Sequence, residues 1–251
     1  MTCRGVFFDL YGTLLVYGDM TAAWADWLTA LHDKLAPLGL GIDRAGMAER
    51  CRGLFSLPEP PDQGDGLTVY ERRLRALCGE LGLDVPRAAL SDAADDSARA
   101  WQRYVPADTD AQPVLRALGV GRKLALVSNY DHPRVARQYL AESDLMPLLD
   151  CIVISGEVGV KKPDPAIIRL ALAATGLDAG DVVFVGDAPE DVAAARAAGC
   201  QPVRIRRQAA DPFAEASDFD ADRSAAAASW ADGVTTVRSL ADLIPLVEGS
   251  A

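Results

Sequence analysis

A recurring unit constrains this chain more than any other feature. Short, nearly continuous apolar runs stop at a polar residue or a turn, and helical patterns follow them. Val6–Phe8 stops at Asp9, Lys123–Ser128 reads KLALVS, and Cys151–Ser155, Val182–Gly186 and Pro202–Ile205 repeat the theme. Runs without in-and-out alternation suit strands buried on both faces. Pro133–Leu140 and Pro165–Thr175 open on a proline, which a first helical turn tolerates. Pro189–Ala198 is followed by Gly199, a favoured C-terminal cap. Ser239 and Asp242 have the spacing of a capping box opening a last helix. Strands alternating with helices predict an α/β fold with a doubly wound parallel sheet, whose ligands gather at the C-terminal strand ends.

One stretch breaks the alternation. Between the first strand and Lys123 no convincing strand occurs, while Trp24, Trp27, Leu28 and Leu31, and then Tyr70, Leu74, Leu77 and Leu81, recur at helical spacing. Residues 16–105 therefore read as a helical insertion over the first strand's C-terminal end, and 1–15 with 106–251 as the core. The tryptophans at 24, 27 and 101 read as packing of that insertion rather than a ligand cage. The Ala- and Asp-rich stretch Gln208–Gly233 reads as a surface loop or frayed helix.

Composition narrows the function classes. Lys and Arg number 25 against 36 Asp and Glu, a net charge of −11. Nucleic acid and anionic membranes both demand a basic surface, so neither is an expected partner. No apolar stretch is long enough to span a bilayer. Asp9 cuts the N-terminal apolar run short with no small-residue cleavage site after it, so no secretory leader is read. The 5 cysteines stand singly, the pattern of reduced thiols, and a cytoplasmic protein is expected.

Four segments at strand ends carry chemistry. Asp9 leaves the first strand into a Tyr11-Gly12-Thr13 turn, where a carboxylate can act as a covalent nucleophile. Ser128 and Asn129 end the next strand with a hydroxyl, an amide and backbone N–H groups suited to an oxyanion or phosphoryl group. Lys162 precedes a rigid Pro163-Asp164-Pro165 turn and offers a fixed positive charge, whereas Lys161 reads as solvated. Asp187 and Asp191 leave a strand and enter a helix as a hard-oxygen pair of the kind Mg²⁺ accepts. Each segment alone has a plainer reading: a turn, a helix cap, surface lysines, or acids complementing a helix dipole.

Together and in this order they resemble the four motifs of the haloacid dehalogenase-like hydrolase superfamily, across about residues 4–207. The insertion after the first motif is similar to the helical C1 cap of one subclass. The resemblance implies a Rossmann-like core with a helical cap and a hydrolase acting on a small anionic substrate. It implies Asp9 as nucleophile, Thr13 tying the first loop, and Ser128, Asn129 and Lys162 binding the transferring group. It also implies Mg²⁺ held by Asp9, the Tyr11 carbonyl, Asp187 and Asp191.

Tyr11 departs from the phosphatase pattern, which has an acid/base aspartate at this place. Such proton transfer contributes roughly 10²–10⁴-fold in rate, and a phenol with a reference pKa of about 10 is a poor base at neutral pH. The leading expectation is a Mg²⁺-dependent phosphohydrolase of a small metabolite, favouring leaving groups that need no proton. The Asp-x-Tyr-Gly-Thr form resembles the L-2-haloacid dehalogenases, a metal-independent alternative, although Gly186-Asp187 departs from their Ser-Asn. A phosphonate hydrolase would need a cap lysine, and the insertion has only Lys34. A third alternative is a non-catalytic module that keeps the fold and an anion site.

Overall fold

The computed structural model describes residues 3–207 and 232–249. The stretch 208–231, read above as loop or frayed helix, lies outside the described residues. Two compact units are present: 17–106 form one, and the remaining described residues form the other.

The second of these is built on six parallel strands: β1 (Gly5–Phe8), β2 (Lys123–Ser128), β3 (Cys151–Ile154), β4 (Val182–Gly186), β5 (Gln201–Ile205) and β6 (Thr235–Val237). Their order is β3-β2-β1-β4-β5-β6, the doubly wound α/β sheet expected from the apolar runs. The chain moves from β1 to one side for β2 and β3, then returns to the other side of β1 for β4. The winding therefore reverses between β1 and β4, which is where open α/β sheets form a crevice beyond the strand ends.

In chain order the helices are α1 (Met20–Leu35), α2 (Arg44–Cys51), α3 (Val69–Glu80), α4 (Arg87–Gln102), α5 (Ala111–Leu118), α6 (Pro133–Glu142), α7 (Ser155–Val158), α8 (Ala166–Thr175), α9 (Pro189–Ala198) and α10 (Leu243–Glu248). Prolines stand at the starts of α6 and α9 as expected, and Gly199 closes α9 at φ 87°. The last helix is a correction. It opens at Leu243, and Asp242 instead accepts hydrogen bonds from the main-chain N–H groups of Arg238 and Ser239, both at 3.0 Å.

The sheet's apolar faces are filled by alternating large and small residues. Phe7 lies in register between Ala125 on β2 and Phe184 on β4. All three are fully buried and pack with Ile167, Ile168 and Ala171 of α8 and Ala194 and Ala195 of α9. A shape-matched interior of this kind fixes strand positions to fractions of an ångström.

The unit 17–106 is helical among its described elements. Trp24, Trp27, Leu28 and Leu31 are buried along α1, and Tyr70, Leu74 and Leu77 along α3, as their spacing demands. The Trp27 indole N–H donates to the Tyr70 hydroxyl at 2.6 Å, which meets the Ser97 hydroxyl at 2.7 Å. The Trp24 ring stacks on Trp27 at 4.8 Å. Trp24 and Trp27 are thus interior packing. Buried Arg72 and Arg73 donate to the carbonyls of Leu67 and Leu57 and so fasten the connection from α2 to α3. No helix among the described residues is long and apolar enough to cross a membrane.

Removing the Phe7 ring empties the centre of the core, so Phe7→Ala is expected to lower the unfolding free energy by about 3–5 kcal/mol. Val120→Ala, at an exposed position, is expected to change it by no more than about 0.5 kcal/mol. Urea unfolding of the two variants beside the parent checks this.

Candidate active site

β1, β2 and β4 lie side by side, so the residues that leave their C-terminal ends converge. Asp9 continues the β1 ladder by donating its N–H to the Val185 carbonyl at 2.9 Å. Its carboxylate is buried. The next residues turn back sharply: Leu15 N–H donates to the Leu10 carbonyl and Gly12 N–H to the Leu15 carbonyl, both at 2.8 Å. Gly12 has φ +87°, and a Cβ on it would overlap the Asp187 carboxylate. Gly186 is constrained in the same way, because a Cβ there would overlap the Asp191 carboxylate. Both glycines let a carboxylate approach main chain more closely than any other residue permits.

Lys162 sits at the centre of the cluster. Its ammonium is buried and lies 2.6 Å from Asp9 Oδ1, 2.6 Å from Asp191 Oδ1 and 3.0 Å from the Val127 carbonyl. The contacts to Asp9 and to the Val127 carbonyl are hydrogen bonds, and the contact to Asp191 is an ion pair. The Phe184 ring lies 5.7 Å away on a further side, which adds a modest attraction. Burial alone would lower the Lys162 pKa, but Asp191 and Asp9 outweigh it and raise the value, so the group stays charged. Burial pushes Asp9 the other way, up to about 6, against the pull of Lys162 and with the repulsion of Asp191.

One carboxylate oxygen from each of Asp9, Asp187 and Asp191 lies within 4.8 Å of the others. Asp9 and Asp191 share the Lys162 ammonium, and Asp187 brings a third carboxylate to the same place. Three hard oxygen donors so close together fit a small divalent cation of the Mg²⁺ kind. Asp191 is more than a helix-terminal acid. Its second oxygen accepts the Ala188 N–H at 3.0 Å, so one side chain caps α9 and anchors Lys162.

The other sequence-predicted residues are placed as follows. Ser128 is buried at the end of β2, and its hydroxyl has no hydrogen-bond partner among the described residues. Thr13 is also buried with its hydroxyl in the same condition; the loop is instead held by the Thr13 carbonyl, which accepts from the Arg207 guanidinium. Arg207 also pairs with Asp108. Asn129 turns its amide onto the Lys162 backbone: its Nδ2 donates to the Lys162 carbonyl at 2.9 Å and its Oδ1 accepts the Lys162 N–H at 2.8 Å. Tyr11 is buried with its ring centroid 4.7 Å from that of Tyr130. Burial holds the Tyr130 phenol up to about 12, so it remains protonated at neutral pH. Lys161 is exposed, as expected.

Sequence reasoning missed the Val127 carbonyl, Tyr130, Ser155 and Arg207. Ser155 accepts the Tyr130 N–H through its hydroxyl at 3.0 Å and steadies the loop after β2. A backbone carbonyl has no sequence signature, and Arg207 lies 194 residues from Thr13. Tyr130, adjacent to Asn129, was the one legible signal.

Residues 3–199 match the model of the haloacid dehalogenase-like hydrolase family. A phosphoglycolate phosphatase of Cereibacter sphaeroides is 32% identical over 206 residues, 78% of this chain and 81% of that protein. A phosphoserine phosphatase of Thermus thermophilus is 41% identical over 88 residues, about a third (35%) of each chain. Among solved structures, a 2-haloacid dehalogenase of Pseudomonas syringae superposes with a TM-score of 0.68 at 24% identity over the whole of both chains. A phosphatase of Thermococcus onnurineus superposes at 0.66 with 22% identity over 98% of each. These two likenesses concern the fold.

Lys162→Met would leave three neighbouring carboxylates without their cation. Breaking a buried ion pair on one side costs about 3–5 kcal/mol, and a loss of that size is expected in urea unfolding. Adding Asp191→Asn to Lys162→Met removes one of the stranded charges and is expected to recover part of it.

Proposed function

Because the chain belongs to the haloacid dehalogenase-like hydrolase family and is a hydrolase, we propose that it is a Mg²⁺-dependent phosphohydrolase of a small phosphorylated metabolite. The observation that carries this reading is the meeting of the Asp9, Asp187 and Asp191 carboxylates around Lys162. The phosphoglycolate phosphatase relative supports the same class of substrate.

In this reading Lys162 holds one oxygen of Asp9, and the other attacks the phosphorus atom. The bond from phosphorus to the leaving oxygen breaks, giving an aspartyl phosphate and the dephosphorylated product. Water then attacks phosphorus, releases inorganic phosphate, returns the Asp9 carboxylate and gives up its proton to solvent. The Ser128 hydroxyl donates to a phosphoryl oxygen. Asp9, Asp187 and the Tyr11 carbonyl would hold the cation, and Asp191 supports them while serving Lys162 and the Ala188 amide. When bound, Mg²⁺ offsets charge building on the phosphoryl oxygens. Tyr11 offers a phenol, a far weaker acid than a carboxyl group, so acyl phosphates and aryl phosphates are favoured over simple alkyl esters. The helical unit 17–106 serves as the cap that selects the substrate. All five cysteines are free, which fits a reducing cytoplasm.

Carbon–halogen hydrolysis is the second reading, favoured by Tyr11 in place of an acid and needing no leaving-group proton. Assays with acetyl phosphate, p-nitrophenyl phosphate and 2-chloropropionate, each with and without Mg²⁺, separate the two. The phosphohydrolase reading expects turnover of the first two only with Mg²⁺, and a loss of at least about 10³-fold in Asp9→Asn and Asp187→Asn. Beryllofluoride with Mg²⁺ is expected to occupy Asp9 and raise the melting temperature of the parent but not of Asp9→Asn. Metal-independent chloride release that survives in Asp187→Asn overturns it in favour of the second reading.

A further inference from the structure

The side chain after Ser128 was expected to bind substrate, and the geometry gives it a different task. A carboxamide presents an acceptor and a donor side by side in one plane. Those of Asn129 meet the N–H and the C=O of a single residue, Lys162, at 2.8 and 2.9 Å in a partly buried setting. A single hydrogen bond leaves a segment free to rotate about it, whereas two from one rigid plane fix both position and twist. Two residues before Asn129, the Val127 carbonyl accepts from the Lys162 ammonium at 3.0 Å. The end of β2 therefore grips Lys162 at both ends, backbone and tip, across 33 residues of sequence. The ammonium also donates to Asp9 and forms an ion pair with Asp191.

We propose that Asn129 is a positioning residue that sets the aim of Lys162 onto Asp9 and Asp191 and does not itself bind substrate. The rate consequence rests on the Asp9 chemistry of the preceding reading and holds for either electrophile. The clamp itself is a statement about two hydrogen bonds. Lys162 has to reach 2.6 Å from two carboxylates at once, so a small shift of its main chain loses one contact or the other. Misplacement by about 1 Å near a reacting centre costs on the order of 10²-fold in rate.

The test uses Asn129→Ala, with Asn129→Asp as a second variant that keeps the acceptor for the Lys162 N–H and loses the donor to its carbonyl. Two readouts are taken. Backbone amide exchange of Lys162, followed by NMR, is expected to speed up by about tenfold or more in Asn129→Ala and by less in Asn129→Asp. In turnover of acetyl phosphate with Mg²⁺, kcat is expected to fall about 10- to 100-fold in Asn129→Ala with KM within about twofold, the signature of a lost transition-state arrangement. Unchanged exchange at Lys162 overturns the clamp. Faster exchange with unchanged kcat, even with a lowered melting temperature, overturns the positioning role. A raised KM with kcat preserved returns Asn129 to substrate binding and also overturns it. Absence of phosphatase turnover in the parent protein is failure of the preceding reading alone; the same kcat and KM split is then read on 2-chloropropionate, and amide exchange decides the clamp independently.

Discussion

The buried contact of Lys162 with Asp9 and Asp191 is the interaction on which the rest of the site depends. Its desolvation is costly, and in a low-dielectric interior only close pairing compensates for it. The fold provides that pairing by bringing three strand ends together. β1 delivers Asp9, β4 leads through Gly186 toward Asp191, and β2 contributes the Val127 carbonyl, which accepts from the same ammonium. The core behind them, with Phe7 wedged between Ala125 and Phe184, keeps the strand ends from drifting. Stability of the sheet and charge placement in the site are therefore one problem.

Lys162 is committed to protein partners, and three carboxylates, Asp9, Asp187 and Asp191, crowd within 4.8 Å of one another. The glycines at 12 and 186 permit this crowding: each lies where a Cβ would strike a carboxylate. Close packing of like charges around one fixed cation is an arrangement that favours an added divalent ion. It also raises the proton affinity of Asp9, whose carboxyl burial lifts to about 6. Tyr11 belongs to a different environment. Its ring packs on Tyr130, so an aromatic pair stands beside Asp9, at the place where the phosphatase pattern has an acid, and connects the first and second motifs.

Much of this was legible in the residue order, for particular reasons. The apolar runs at Val6–Phe8 and Val182–Gly186 have no polar break, and a strand buried on both faces is the structure that tolerates that. Pro189 and Gly199 bracket α9 because a missing N–H and a positive φ are useful at opposite helix ends. Asp9, Ser128 and Asp187 stood out because each is a polar residue where an apolar strand stops, and Lys162 because it precedes the rigid Pro163-Asp164-Pro165 turn. The start of the last helix was misplaced because Asp242 caps the turn at Arg238 and Ser239 instead. Thr13 joins its loop to Arg207 through its carbonyl, a backbone contact that residue letters do not mark.

By itself the sequence determined the fold class and the family, since these follow from local hydrophobic pattern and short-range spacing. Which groups touch was decided by the tertiary structure alone. The direction in which Asn129 turns, the meeting of Lys162 with two carboxylates and a carbonyl, and the reach of Arg207 to the first loop all join residues far apart in the chain. Such contacts depend on strand order and register, which bring distant backbone atoms within hydrogen-bonding distance, and a backbone carbonyl leaves no mark in the residue letters.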